Sequence, residues 1–115
     1  MPPSHHRHRL QRKPSGGLRV LEVPLPRLAA AQQRLLDLAL APAPVHEAAH
    51  GFVRGRHVRT HVTPHVGQAG VLRFDLRDFF TQVHAGRVQA VWQALGHAPT
   101  AAEVLTRLCT VRTPV

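Results

Sequence analysis

Val71-Leu72-Arg73-Phe74-Asp75-Leu76-Arg77-Asp78-Phe79-Phe80 is the stretch on which the reading of the fold turns. Val71, Leu72, Phe74 and Leu76 form a short, mostly apolar run with the length and composition of a largely buried strand. Asp75 interrupts that run, and a carboxylate taken out of water needs a partner or a cation. Two readings follow: a metal ligand at the floor of an active site, or an aspartate at a strand end making hydrogen bonds to a turn. Asp78 lies three residues on, so in an extended chain it points to the opposite face and cannot share a metal with Asp75. A metal site at Asp75 therefore draws its other carboxylates from elsewhere.

A chain of 115 residues makes one domain at most, and 43% apolar residues is ordinary for a globular protein. Fourteen arginines and one lysine against six acidic residues give a net charge of +9, and ten histidines add to it below neutrality. That excess suits a polyanionic partner, either nucleic acid or an anionic membrane surface. No apolar run reaches the roughly 18 residues of a membrane-spanning helix. Nor does the N-terminus carry the apolar core of a secretory signal. Cys109 is the one cysteine, which excludes an internal disulfide and fits a reducing compartment.

Residues 1–11 are rich in Pro, His and Arg and read as a basic, flexible arm. Three of its histidines, His5, His6 and His8, have no carboxylate or cysteine beside them and read as a solvated tail. Lys13-Pro14-Ser15-Gly16-Gly17 is dense turn chemistry, so residues 8–12 and 18–23 are expected to form a hairpin. Lys13 and Arg19 then flank its tip. Pro24 and Pro26 close the second strand and open a helix with Leu28, Leu35, Leu36, Ala39 and Leu40 on its core face, ended by Pro42 and Pro44. Gly51 to Arg56 is a glycine-punctuated basic turn, and residues 57–65 have a possible helical turn. His57, His61 and His65 recur there at intervals of four, with Pro64 disturbing the alignment that a metal stripe needs. Further on, Gly86 to Leu95 predicts a helix with Val88, Val91, Trp92 and Leu95 on one face and Gly96 at its end. Thr100-Ala101-Ala102-Glu103 matches a capping box that opens a last helix, with Val104, Leu105 and Leu108 inward.

His46-Glu47-Ala48-Ala49-His50 matches the H-E-x-x-H pattern of zinc hydrolases, in which two histidines one turn apart bind the metal and the glutamate acts as base. The pattern works inside a helix, but Pro44 stands two residues before it and Gly51 directly after it. Zinc chemistry is thus the remote alternative.

Taken in order, these pieces resemble the N-terminal part of a reverse transcriptase of the bacterial retron type. The likeness covers roughly residues 10–112. It rests on Lys13-Pro14-Ser15-Gly16-Gly17-Leu18-Arg19 and the Pro24-to-Leu36 stretch with Gln33. It continues through Ala49-His50-Gly51-Phe52 with Gly55-Arg56, Pro64-His65-Val66-Gly67, Asp75 to Phe80, and Leu108-Cys109-Thr110. The resemblance implies an α/β (α+β) fold with a fingers-like region at residues 12–70 and a partial palm at 71–115. It implies RNA-templated DNA synthesis with two Mg²⁺ ions in the complete site. Asp75 matches the first metal-binding aspartate, and the backbone carbonyl of Leu76 is a second ligand position. Phe80 matches the bulky residue that crowds the sugar 2′ position, with N–H groups around Asp78 and Phe79 meeting the triphosphate. For Asp75 and Phe80 to meet one nucleotide, the chain must turn after Asp78. Lys13 and Arg19 match cations that close on the same phosphates, while Arg54 and Arg56 fall in an RNA-contacting segment. The partners implied are an RNA template, a DNA primer and product, deoxynucleotides and a structured non-coding RNA, with no membrane, in the bacterial cytoplasm.

The departures are as definite as the matches. The family completes its metal site with a Tyr-x-Asp-Asp turn preceded by Gln-Gly-x-Pro. This chain has no tyrosine and no adjacent aspartates, and it stops where the next palm elements are expected. His57 stands where serine usually follows Gly-Arg, and Thr60-His61 replaces an Asn-Ala pair. The chain alone is therefore expected to lack polymerase activity, and a basic RNA-binding module derived from polymerase fingers is the alternative. The polymerase reading asks two things of the fold: sheet at 71–76, and Asp75 at the mouth of a cleft.

Overall fold

The computed structural model describes residues 5–111. The part of the expected arm at residues 1–4, and the chain end at 112–115, lie outside the described residues. Two strands, β1 (His6–Arg12) and β2 (Leu18–Pro24), pair antiparallel in a register running from His6 opposite Pro24 to Arg12 opposite Leu18. Their connection closes through Gly16 N–H to the Lys13 carbonyl at 3.0 Å and Lys13 N–H to the Gly17 carbonyl at 3.1 Å. Gly16 and Gly17 sit at φ +84° and +83°, a region that glycine enters without a Cβ clash. The hairpin is the expected one, but longer: β1 takes up residues 6–11 of the segment expected as an arm.

Helix α1 (Pro26–Leu35) starts where Pro26 fixes φ at the first helical position, and Leu25 before it is extended. Its end widens into a π-turn over Leu36–Leu40, closed by Ala41 N–H to the Leu36 carbonyl at 2.8 Å. Helix α2 (Val58–Val62) opens on a capping box between His57 and Thr60 and runs into a 3₁₀ turn at Thr63–His65. Three further helices follow: α3 (Phe79–Gln82), α4 (Ala85–Ala94) and α5 (Pro99–Cys109). Gly96 at φ +93° ends the α4 region as expected and lets α5 fold back on it. No helix among the described residues is long and apolar enough to cross a membrane. The fold class is mixed α/β, one hairpin followed by helices.

The core sits between α4 and α5. Trp92 on α4 is 2% exposed, and Ala102 and Thr106 on α5 are buried as well. The Trp92 ring meets His97 edge-on at 5.4 Å. Gln32 of α1 donates from Nε2 to the Leu108 carbonyl at 2.8 Å, tying α1 to α5.

Three expectations are corrected. The Thr100-to-Glu103 capping box does not form: Pro99 takes the first helical position, Ala98 becomes the cap, and Glu103 pairs instead with Arg107 at 2.6 Å. Val91 and Val104, expected inward, are exposed, and Ala102 and Thr106 take the inward positions. Most consequential is Val71–Leu76. The segment forms no strand, and Leu72 and Phe74 are 84% and 85% exposed rather than buried. A strand's backbone groups need a neighbouring strand, and among the described residues β1 and β2 pair only with each other. Apolar composition alone cannot supply that partner.

Candidate nucleotide and nucleic-acid site

Asp75 lies on this exposed segment. A groove lined by His61, His65, Val71, Leu72 and Phe74 reaches along the chain only as far as the residue before it. The sheet that the polymerase reading asks for at 71–76 is not formed, so the geometry of this segment does not by itself carry that reading. Among the described residues, no group of three or more His, Cys, Asp or Glu side chains is placed to hold a metal ion. Asp75 and the Leu76 carbonyl do not by themselves fit a site for two Mg²⁺ ions.

The turn that the reading requires does occur. Asp78 adopts φ +49°, ψ +39°, a left-handed conformation that aspartate tolerates better than most residues, and caps α3. Its carbonyl accepts from Thr81 Oγ1 at 2.8 Å and Gln82 N–H at 3.1 Å. The reversal carries Phe79 and Phe80 out of line with residues 71–76, their rings edge-to-face at 5.5 Å. Phe80 is exposed at a cleft of about 420 Å³ shared with Glu22, His84, Val88 and Cys109. Phe79 lines an apolar cleft of about 430 Å³ with Leu40, Val88 and Trp92. Cys109 borders both clefts, and burial raises its thiol pKa above the ordinary value.

Lys13 and Arg19 stand at the hairpin tip, exposed, with Arg19 opposite Gln11 in the register. Lys13 borders a shallow pocket with Arg12, Pro14, Gly16 and Gly17.

Arg54 and Arg56 have different surroundings. Arg54 is exposed. Arg56 is half-buried, and its Nη1 donates to the carbonyls of His46 (2.7 Å), Glu47 (3.1 Å) and Ala49. The guanidinium closes the 46–49 loop onto the turn that follows. The same loop removes the basis for zinc chemistry: residues 46–50 are not helical. His46 Nδ1 accepts from Ala48 N–H at 3.1 Å, and His50 Nδ1 meets Thr60 Oγ1 at 3.0 Å. His50, His61 and His65 form a row of rings 5.4 and 5.6 Å apart. Desolvation, then the nearby His61, Arg56, His57 and His65, lowers the His50 pKa below its ordinary value.

One further residue stands out, to which its place in the sequence assigns no role. Phe52 sits at φ +59° with its side chain fully exposed, an outlier for a bulky residue. Its neighbours Gly51 and Gly55 marked a turn, but nothing in the sequence marks Phe52 itself as the left-handed position.

No protein-family profile matches the sequence, and no solved structure matches it. Four curated relatives do, three of them as follows. The retron Mx65 reverse transcriptase of Myxococcus xanthus is 46% identical over 98 residues, 85% of this chain and 23% of that protein. The retron Mx162 reverse transcriptase of the same organism is 38% identical over 98 residues, 85% of this chain and 20% of its own length. The retron Ec86 reverse transcriptase of Escherichia coli is 36% identical over 59 residues, 51% of this chain and 18% of its own length. The chain thus spans about a quarter or less of the relatives it matches. With 85% of its residues in a match at 46% identity, the chain is homologous to one part of a retron reverse transcriptase.

Proposed function

We propose that the chain supplies the fingers-like region (12–70) and the first palm segment (71–115) of an RNA-directed DNA polymerase. The observation that carries this reading is the 46% identity over 85% of the chain to the retron Mx65 reverse transcriptase. Asp75 contributes one carboxylate, and Leu76 its carbonyl, to a site completed by residues from outside this chain. When bound there, Mg²⁺ would stabilise the attacking hydroxyl and the leaving pyrophosphate. Lys13 and Arg19 neutralise the incoming triphosphate, N–H groups near Asp78 and Phe79 orient it, and Phe80 excludes a ribose 2′-hydroxyl. Arg54 contacts the RNA template from its exposed turn. Arg56 holds that turn in place and reaches the template only if its carbonyl bonds open. The partners are an RNA template with its DNA primer, deoxynucleotides and a structured non-coding RNA, in the bacterial cytoplasm.

Primer extension on a structured RNA template with Mg²⁺ tests this. The chain alone is expected to incorporate no deoxynucleotide. Mixed with the remaining portion of an Mx65-type enzyme, it is expected to restore extension, and Asp75→Asn is expected to abolish it. Extension that survives Asp75→Asn removes the metal-ligand role. Incorporation by the chain alone removes the claim of an incomplete site. A second reading, a basic RNA-binding module, is favoured by the exposed position of Asp75 and by the +9 charge. It predicts salt-sensitive RNA binding unaffected by Asp75→Asn.

A further inference from the structure

The β1–β2 ribbon has two unlike faces. Side chains alternate along a strand, and directly opposed residues share a face. Arg7, Arg9 and Gln11 therefore lie with Arg19, Leu21 and Val23, while His8, Leu10 and Arg12 lie with Leu18, Val20 and Glu22. Glu22 is the ribbon's one acidic residue, and on that second face it stands 3.6 Å from His8 Nε2. Arg7, Arg9 and Arg19 are exposed, and among the described residues none of their guanidinium groups has a hydrogen bond or ion pair. Three guanidiniums thus share a face with no counter-charge of the protein's own. Like charges held together oppose folding, and an external polyanion relieves that repulsion.

We infer that this face binds the phosphodiester backbone of duplex nucleic acid, with Arg7 and Arg9 each meeting a phosphate. The planar guanidinium fork suits phosphate oxygens. Arg7 and Arg9 are two residues apart on one strand, which places their Cα atoms about 6.6 Å from each other. Single strands are commonly held by stacking bases on aromatic rings. Neither strand contains Phe or Trp, and the chain has no Tyr. His6 and His8 lie on the other face. What remains is backbone contact, which positions a duplex without reading its sequence. The choice of RNA over DNA rests on the reverse-transcriptase reading, but the arginine geometry does not.

Fluorescence anisotropy of the purified chain on a labelled RNA duplex tests the inference, with KCl varied from about 50 to 200 mM. Mg²⁺ and nucleotide are omitted, so failure of the polymerase reading leaves this result standing. R7Q/R9Q is expected to reduce the slope of log affinity against log salt by about 2, one unit for each phosphate that is no longer neutralised. Wild type then loses about 12-fold more affinity than the variant across that salt range. Each single variant, R7Q or R9Q, is expected to lower the slope by about 1, and R7K/R9K is expected to keep it, which separates loss of charge from loss of fold. R27Q/R34Q removes the same charge from exposed positions on α1 and is expected to leave the slope unchanged. A DNA duplex bound as tightly as RNA supports the backbone reading. The inference is overturned by an unchanged slope in R7Q/R9Q or by an equal loss in R27Q/R34Q. Tighter binding of single-stranded than of duplex RNA also overturns it, as does a preference for phosphatidylserine vesicles that R7Q/R9Q abolishes.

Discussion

Replacing Arg56 with alanine separates two roles that its position in the sequence cannot distinguish. Its Nη1 meets three backbone carbonyls, those of His46, Glu47 and Ala49, seven to ten residues away in sequence. A hydrogen bond from a charged donor contributes about 1.5–3 kcal/mol net. One nitrogen serves all three acceptors, and the site is half-exposed, so water replaces part of what alanine removes. The expected loss is therefore about 2 kcal/mol and not three times that. In a chain of this length, that corresponds to a Tm lower by about 6–12 °C, read by circular dichroism. Arg56→Lys keeps the charge but loses the fork, and is expected to recover part of the loss. Arg54→Ala, at an exposed turn, is expected to shift stability by less than about 0.5 kcal/mol. The reasoning is refuted if Arg56→Ala melts within roughly 2 °C of wild type while its RNA affinity falls and its salt slope drops by about 1. Arg56 would then be a template ligand whose carbonyl bonds are incidental.

Phe52→Gly is expected to stabilise the chain by about 0.5–1 kcal/mol: relief of left-handed strain, roughly 1–2 kcal/mol, exceeds the added unfolded-state entropy of glycine. A lower Tm in this variant would mean that the Phe52 ring is held by contacts. Thermal stability is expected to fall as the pH drops from 7 toward 5. His50 has a depressed folded-state pKa, so the unfolded chain binds its proton first. Its contribution is fully present above the ordinary histidine pKa of 6.5 and is lost as pH falls through the folded value. His50→Asn is expected to flatten that dependence, and an unchanged pH profile in this variant contradicts the assignment. Asp75→Asn is expected to leave the unfolding free energy within about 0.5 kcal/mol of wild type, because the carboxylate is exposed. A large loss would reveal a structural partner for Asp75.

Much of the fold was legible because local chemistry decided it. Gly16-Gly17 fixed the hairpin, Pro26 the start of α1, and Gly96 the end of the α4 region, each through backbone constraints that act within a few residues. The capping box at Thr100 was misplaced by one of the same constraints, since Pro99 claimed the first helical position. What could not be read was any feature depending on distant chain. The role of Arg56 comes from three carbonyls in another loop, and the burial of Trp92, Ala102 and Thr106 depends on how two helices meet. For the candidate site, the turn at Asp78 was foreseen from the need to bring Asp75 and Phe80 together. The exposure of Asp75 was not, because burial of residues 71–76 requires strands that the described residues do not include.

That failure and the homology have a common physical cause. The sequence is 43% apolar, yet among the described residues only Trp92 and Ala102 are buried apolar side chains. Val71, Leu72, Phe74, Leu76, Phe79 and Phe80 are all at least half exposed, as are Leu10, Leu18 and Val20 on the hairpin. The radius of gyration is 17.2 Å, against about 13 Å for a compact domain of this length. Contiguous apolar surface on this scale marks an interaction face. Its composition suits a core larger than the described residues can form, and the matched relatives are four to five times the length that this chain covers. Asp75 sits within the largest uncovered stretch. Whatever covers Val71–Leu76 must therefore also form the wall beside that carboxylate, and the cover that buries the segment decides whether Asp75 meets a metal or only water.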